Sequence, residues 1–201
     1  MSVVPAGTRN ARADRETLPI RAHPLVFGVV IFLASELMFF AALFAAYYDL
    51  RAEAPAGSWP PPGVRLDLLD SSIGTALLVA SSLVTMAMAR ALRRGRTRAA
   101  RAWLLAALAC ALTFVAIALS GYARDTFSIA SNAYGSLFFT MTGFHLLHVA
   151  AGIVLLAGMF LGLRSPAMQA NRQAGAEAIT YYWHFVLVVW LGIWGTIYFV
   201  R

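Results

Sequence analysis

Five long apolar segments constrain this chain more than any other feature of its sequence. They predict helices over residues 25–48, 73–91, 102–123, 134–163 and 178–200. Each segment is close to or longer than the roughly 20 residues that an α-helix needs to cross a bilayer. The segments are too long for barrel strands and lack their alternation of polar and apolar residues. With 60% hydrophobic and 12% charged residues, the composition lies outside that of a soluble globular domain. The sequence therefore predicts an all-α integral membrane bundle of five transmembrane helices.

The basic residues predict how this bundle is oriented. All 16 are arginines; twelve precede the first segment or lie in the second and fourth connections, and four lie elsewhere. Because the cytoplasmic loops of membrane proteins carry an excess of arginine and lysine, we expect the N-terminus in the cytoplasm and the C-terminus outside. We expect residues 1–22 to form a polar, arginine-rich tail and residues 23–201 to form one membrane domain.

The arginine clusters flank the apolar segments, without aromatic residues between them that would stack on bases. This arrangement argues against a nucleic acid partner and favours lipid headgroups. Arg21, Arg94 and Arg164 are the candidate ligands of a lipid phosphate.

The first segment contains a single acid, Glu36, in the run VFGVVIFLASELMFFAALFAAYY. It lies about 18 Å along the helix from Pro24, near the middle of a bilayer. A bare charge at this depth costs at least a few kcal/mol, so we expect Glu36 to be neutral at pH 7 and hydrogen-bonded to another helix. Two roles remain open: a lock between helices, or a proton-linked or lipid-linked site.

Three histidines are the candidate polar partners inside the membrane. His145 and His148 lie three residues apart in GFHLLHVAAG, and His184 lies in YYWHF. They are weak metal or haem ligands, because no carboxylate or cysteine stands beside them at ligand spacing. They could instead bind lipid phosphate, or they could satisfy Glu36, with His148 or His145 the leading partner. The lone Cys110 excludes a disulfide framework and a thiol metal site, and we expect neither catalytic nor metal-binding residues in this chain.

Local signals also predict helix ends and contacts. Pro24 is expected to begin the first helix, and Asp70, Ser71 or Ser72 to cap the second. The tryptophans of the last segment recur at spacings of seven and four, which predicts a buried stripe of core side chains. Close helix contacts are expected at two glycines of the fourth segment. These tryptophans and glycines are Trp183, Trp190, Trp194, Gly143 and Gly152.

Four blocks of the sequence resemble subunit III of the haem-copper cytochrome c oxidases, in its five-helix bacterial form. These blocks are FLASELMFFAALFAAYY, LLVASSLVTMAMARA, YGSLFFTMTGFHLLHVAAG and YYWHFVLVVWLGIWGTIYF, and the resemblance covers about residues 22–200. Glu36 matches the family's intramembrane carboxylate, which carbodiimide reagents modify. In two places the chain departs from the family pattern: Leu146 replaces the usual glycine and Leu187 the usual aspartate, which leaves the polar contact of that aspartate in doubt.

The resemblance implies an accessory, non-catalytic subunit of an oxidase in the bacterial cell membrane. Such a subunit holds no haem or copper itself; these lie in subunits I and II. It packs on subunit I, also meets subunit II and further small subunits or a respiratory supercomplex, and supports proton uptake. The resemblance also implies structural phospholipid, which we expect in order between helices one and two on one side and helices three to five on the other. The alternatives are subunit III of a quinol oxidase, a homologue associated with nitric oxide reductase, a stand-alone proton or solute carrier that uses Glu36, and a small membrane cytochrome.

Overall fold

The computed structural model describes residues 23–55, 57–64, 66–165 and 171–200. Within these ranges the chain forms helices and connecting loops but no strands. The helices are α1 (Pro24–Glu53), α2 (Leu68–Arg93), α3 (Thr97–Arg124), α4 (Ala133–Gly162) and α5 (Arg172–Phe199). All five are long and apolar enough to cross a membrane. The predicted all-α fold of five spanning helices is therefore confirmed, while its orientation in the membrane stays a prediction.

The start of α2 corrects one prediction. We expected Asp70, Ser71 or Ser72 to cap this helix, but the cap is Asp67, whose carboxylate accepts two backbone amides at 3.0 and 3.2 Å. Both serine hydroxyls donate to the carbonyl of Leu68 instead. Because these side chains bond within the first turn, the polar run continues the helix and does not precede it.

The helices form one bundle in which α5 is the most central element. It packs against α1, α2 and α4, while α2 packs most extensively against α3, and α3 packs against α4. Helix α1 packs against α4 and α5. The expected division into helices one and two against helices three to five is therefore wrong, because α2 belongs with α3 and α5.

The two ends of the bundle differ in charge. One end of the bundle is rich in arginine; α2 and α4 finish there, and α3 and α5 begin there. Its arginines are Arg90, Arg93, Arg94, Arg96, Arg98, Arg101, Arg164 and Arg172. The opposite, acidic end carries Asp49, Glu53, Asp67, Asp70 and Asp125. There, Arg124 at the end of α3 forms an ion pair with Asp70 at the start of α2.

The core contacts of α4 and α5 distinguish the two glycines. Trp183 and Trp190 are 1% and 7% exposed, so the predicted buried stripe is confirmed for these two tryptophans. Trp194 is only partly buried, packed against the core. A Cβ atom at Gly152 would lie 2.2 Å from Cζ3 of Trp183, which confirms a close approach there. Gly143 was expected to make such a contact, but no described atom beyond its own stretch of α4 lies within 4 Å of a Cβ built on it. The prediction is wrong at Gly143.

Candidate functional site

A carboxyl–imidazole pair joins α1 to α4 inside the bundle. Oε2 of Glu36 lies 3.0 Å from Nε2 of His148. The Glu36 side chain is 23% exposed and the His148 side chain 12%, so both are mostly covered by protein. The buried ring of Phe40, one turn after Glu36 on α1, packs edge-on against the imidazole at 5.1 Å.

The second ring nitrogen of His148, Nδ1, shows which protonation states of the pair fit the hydrogen bonds. Nδ1 lies 2.7 Å from the carbonyl oxygen of Phe144. Because a carbonyl only accepts hydrogen bonds, Nδ1 carries a hydrogen. In a neutral imidazole Nε2 is then the acceptor, so the carboxyl of Glu36 must donate; in the alternative, an imidazolium donates to a carboxylate. Either form holds one proton between Glu36 and His148, and either form has no net charge.

The pairing with His148 accounts for an acid in the middle of a spanning helix. A lone carboxylate in a spanning helix carries a large desolvation penalty. The form of the pair in which both groups are neutral avoids most of it, and in the ionised form the attraction between the two charges offsets part of it. The geometry therefore allows an acid at this depth without an unpaired charge.

Helix α5 holds the imidazole-bearing turn of α4 in place. The hydroxyl of Tyr182 donates to the backbone carbonyl of His148 at 2.9 Å, and Tyr182 is itself 6% exposed. Tyr182 was not among the candidate site residues predicted from the sequence. It lies three residues after Ile179 and four before Val186, both buried, so helical spacing alone places it on the buried stripe of α5.

The other two histidines do not reach Glu36. His145 is 1% exposed, stacks on Trp190 at 5.0 Å, and meets Phe114 edge-on at 6.0 Å. His184 places Nδ1 2.7 Å from the carbonyl of Thr180 on its own helix. Residues three apart on a helix differ by about 60° in direction, so α1 meets His148 while His145 points towards α3 and α5.

The candidate phosphate ligands lie far from this pair. Arg94 and Arg164 are both exposed at the arginine-rich end, one residue past the end of α2 and two residues past the end of α4. Arg21 lies outside the described residues. Near the same end, the guanidinium of Arg101 lies 4.8 Å from the centre of the Phe160 ring, which ties the start of α3 to the end of α4.

Metal ligands do not cluster in the part of the chain that the structure describes: no three histidine, cysteine, aspartate or glutamate side chains there are placed to hold an ion. The polar site is thus a single hydrogen-bonded pair braced by a tyrosine.

The sequence of this bundle matches a known protein family over most of its length. Residues 12–201 match the family model for cytochrome c oxidase subunit III. The chain belongs to the cytochrome c oxidase subunit III family. The resemblance seen in the sequence blocks is therefore confirmed, and with it the assignment to an accessory subunit of an oxidase.

Individual relatives agree with the family match. A probable cytochrome c oxidase subunit 3 of Nocardia farcinica is 39% identical over 186 residues, 90% of each chain. The cytochrome c oxidase subunit 3 of Corynebacterium diphtheriae is 35% identical over 189 residues, again 90% of each chain. The cytochrome c oxidase subunit 3 of Latimeria chalumnae is 36% identical over 187 residues, which are 90% of this chain and 71% of that protein.

Proposed function

We propose that this chain is the redox-silent subunit III of a proton-pumping cytochrome c oxidase in a bacterial cell membrane. Haem and copper would lie in the partner subunits, with subunit I as the main contact and subunit II as a neighbour. In this role the chain stabilises subunit I and supports proton uptake. The observation that carries the proposal is the family match over residues 12–201, supported by bacterial relatives that match over 90% of each chain.

Purification through a tag on this chain tests the assignment. We expect partner subunits with a haem spectrum and oxidation of reduced cytochrome c. Oxidation of a quinol instead would move the chain to a quinol oxidase. A colourless, isolated protein would refute an oxidase subunit and favour the carrier.

We also propose that the Glu36–His148 pair is a proton-holding site of this subunit. The 3.0 Å contact and the hydrogen on Nδ1 of His148 support a single shared proton. Carbodiimides react with protonated carboxyls, so the neutral form of the pair provides the reactive species that the family resemblance implies for Glu36.

Glu36→Gln is the sharpest test of this pair. The glutamine amide can donate to Nε2 of His148, so the bond between α1 and α4 and the lack of net charge are both kept. We expect normal assembly of the oxidase and loss of carbodiimide labelling from this chain. Glu36→Ala is the matched control, because it leaves Nε2 without its partner; we expect it to lower the yield of assembled complex.

The measurements are mass spectrometry of labelled peptides and the ratio of this chain to haem after purification. If the glutamine variant fails to assemble while the protein is otherwise expressed, the carboxyl is a structural lock. If it still labels at this helix, Glu36 is not the modified acid.

A structural phospholipid completes the proposal. Its phosphate would lie at the arginine-rich end, near Arg94 or Arg164, which are both exposed there. Lipid analysis of the purified, delipidated complex should find retained phospholipid, and a complex free of phospholipid would refute this part.

A further inference from the structure

A cavity opens at the acidic end of the bundle, away from the Glu36–His148 pair. It has a volume of about 270 Å³ and lies among α2, α3, α4 and α5. Charged side chains of the helix ends line its mouth: Asp67, Asp70, Arg124 and Asp125. We call it the acidic-end cavity.

The inner part of the acidic-end cavity reaches His145. This residue lies about 18 Å along α4 from the start of the helix at Ala133. It lines the cavity and is 1% exposed. Within the described part of the chain, neither of its ring nitrogens has a hydrogen-bond partner. A neutral imidazole has one N–H donor and one acceptor nitrogen, so both polar atoms of this buried ring are left without a partner there.

Two hydroxyls extend the polar surface beside His145. Thr142 lies one turn earlier on α4, and Tyr122 of α3 donates to its hydroxyl oxygen at 2.7 Å. Both residues line the cavity. Their oxygens keep lone pairs that can accept further hydrogen bonds, so a molecule bonded to the imidazole finds additional partners here.

The chemistry of these groups selects the occupant. An occupant that satisfies the imidazole accepts from one ring nitrogen and donates to the other, and it has to fit between apolar walls such as Phe114 and Ile193. A lipid chain fits such walls but leaves both nitrogens unsatisfied. Water supplies donors and acceptors, and the cavity has room for several molecules at about 30 Å³ each. Purely apolar cavities stay dry, whereas this one has a charged mouth and a polar floor.

We propose that the acidic-end cavity is filled with water that extends from the acidic end of the bundle to His145 and hydrogen-bonds its ring nitrogens. The imidazole, although buried in a spanning helix, then exchanges protons with the aqueous phase at that end. This site is separate from the Glu36–His148 pair and does not depend on which oxidase contains the chain.

Cysteine accessibility tests the proposal with a matched pair on α3. Ala118 lines the cavity, whereas Ala116, two residues earlier, is exposed on the surface of the same spanning helix. Each is changed to cysteine in a Cys110→Ala background, and the complex purified with its partners is treated with a charged methanethiosulfonate reagent. We expect modification about tenfold or more faster in Ala118→Cys, because a thiol in apolar surroundings has a raised pKa and one pKa unit lowers the thiolate fraction tenfold.

Two results would overturn the proposal. One is that the charged reagent modifies Ala118→Cys no faster than Ala116→Cys. If an uncharged maleimide then labels Ala118→Cys readily, the cavity contains a lipid or detergent chain. The other, in the unmodified protein, is a high-resolution density map with an empty cavity or a continuous chain at His145. Separate water densities at hydrogen-bond distance from both ring nitrogens are the expected result.

Discussion

Gly152→Ala tests the closest helix contact that the structure shows. The new Cβ would lie 2.2 Å from Cζ3 and 2.7 Å from Cε3 of Trp183, where ordinary contacts begin at 3.4 Å. The nearer atom is therefore too close by 3.4 minus 2.2, or 1.2 Å. Trp183 is 1% exposed and cannot swing away into open space. Relief of the clash requires α4 and α5 to separate.

The expected size of this effect follows from two opposing contributions. Overpacking of a filled core costs about 1–3 kcal/mol, and more where the backbone must shift. Alanine in place of glycine inside a helix returns about 0.5–1 kcal/mol. Because the overlap is large and the ring is enclosed, we expect the upper part of the first range and a net loss of about 2 kcal/mol.

Gly143→Ala is the control on the same helix. A Cβ there meets no described atom within 4 Å beyond its own stretch of α4, so only the helix term remains and stability should rise by about 0.5–1 kcal/mol. The two variants are compared by thermal unfolding of the purified complex in detergent. The quantity measured is the fraction of this chain that stays in the complex as the temperature rises. Equal stabilities would refute the packing of Trp183 on Gly152.

Two further predictions concern α5 and the acidic end. Trp190→Phe removes a 2.8 Å hydrogen bond from the indole to Thr75 and should lower the free energy of unfolding by about 1 kcal/mol, as measured by thermal unfolding. Trp194→Phe removes a longer bond of 3.2 Å to Ser71 and should cost less. The reverse order of the two variants would contradict the structure. Burial raises the pKa of Asp125, with a smaller opposing effect of Arg124, so stability falls as pH rises through that raised pKa. Asp125→Asn should therefore raise the melting temperature at pH 7, with no gain at acid pH where the carboxyl is protonated; a lower melting temperature at pH 7 would contradict this.

The class of the fold follows from the sequence because hydropathy acts along the chain. A run of about 20 apolar residues satisfies its backbone hydrogen bonds only as a helix when it lies in lipid. No tertiary contact is needed to reach that conclusion. Helix ends are less determined: the polar Ser71 and Ser72 read as a cap, yet their hydroxyls bond back to Leu68 and let α2 start earlier.

The need for a partner at Glu36 also follows from the sequence, since desolvation of an acid in hydrocarbon depends only on its depth. The identity of that partner does not. His145 and His148 have the same chemistry and adjacent faces, and only the packing of α1 against α4 and α5 brings His148 to the carboxyl.

The two glycines of α4 illustrate the same division. Both are small residues in one spanning helix, and sequence reasoning treats them alike, but Trp183 covers Gly152, while no described atom beyond its own stretch of α4 lies against Gly143. The sequence by itself determined five membrane-spanning helices, an acid within one of them that needs a polar partner, and the family. The tertiary structure alone decided which faces meet and which histidine lies against Glu36, because helix contacts join residues more than a hundred positions apart.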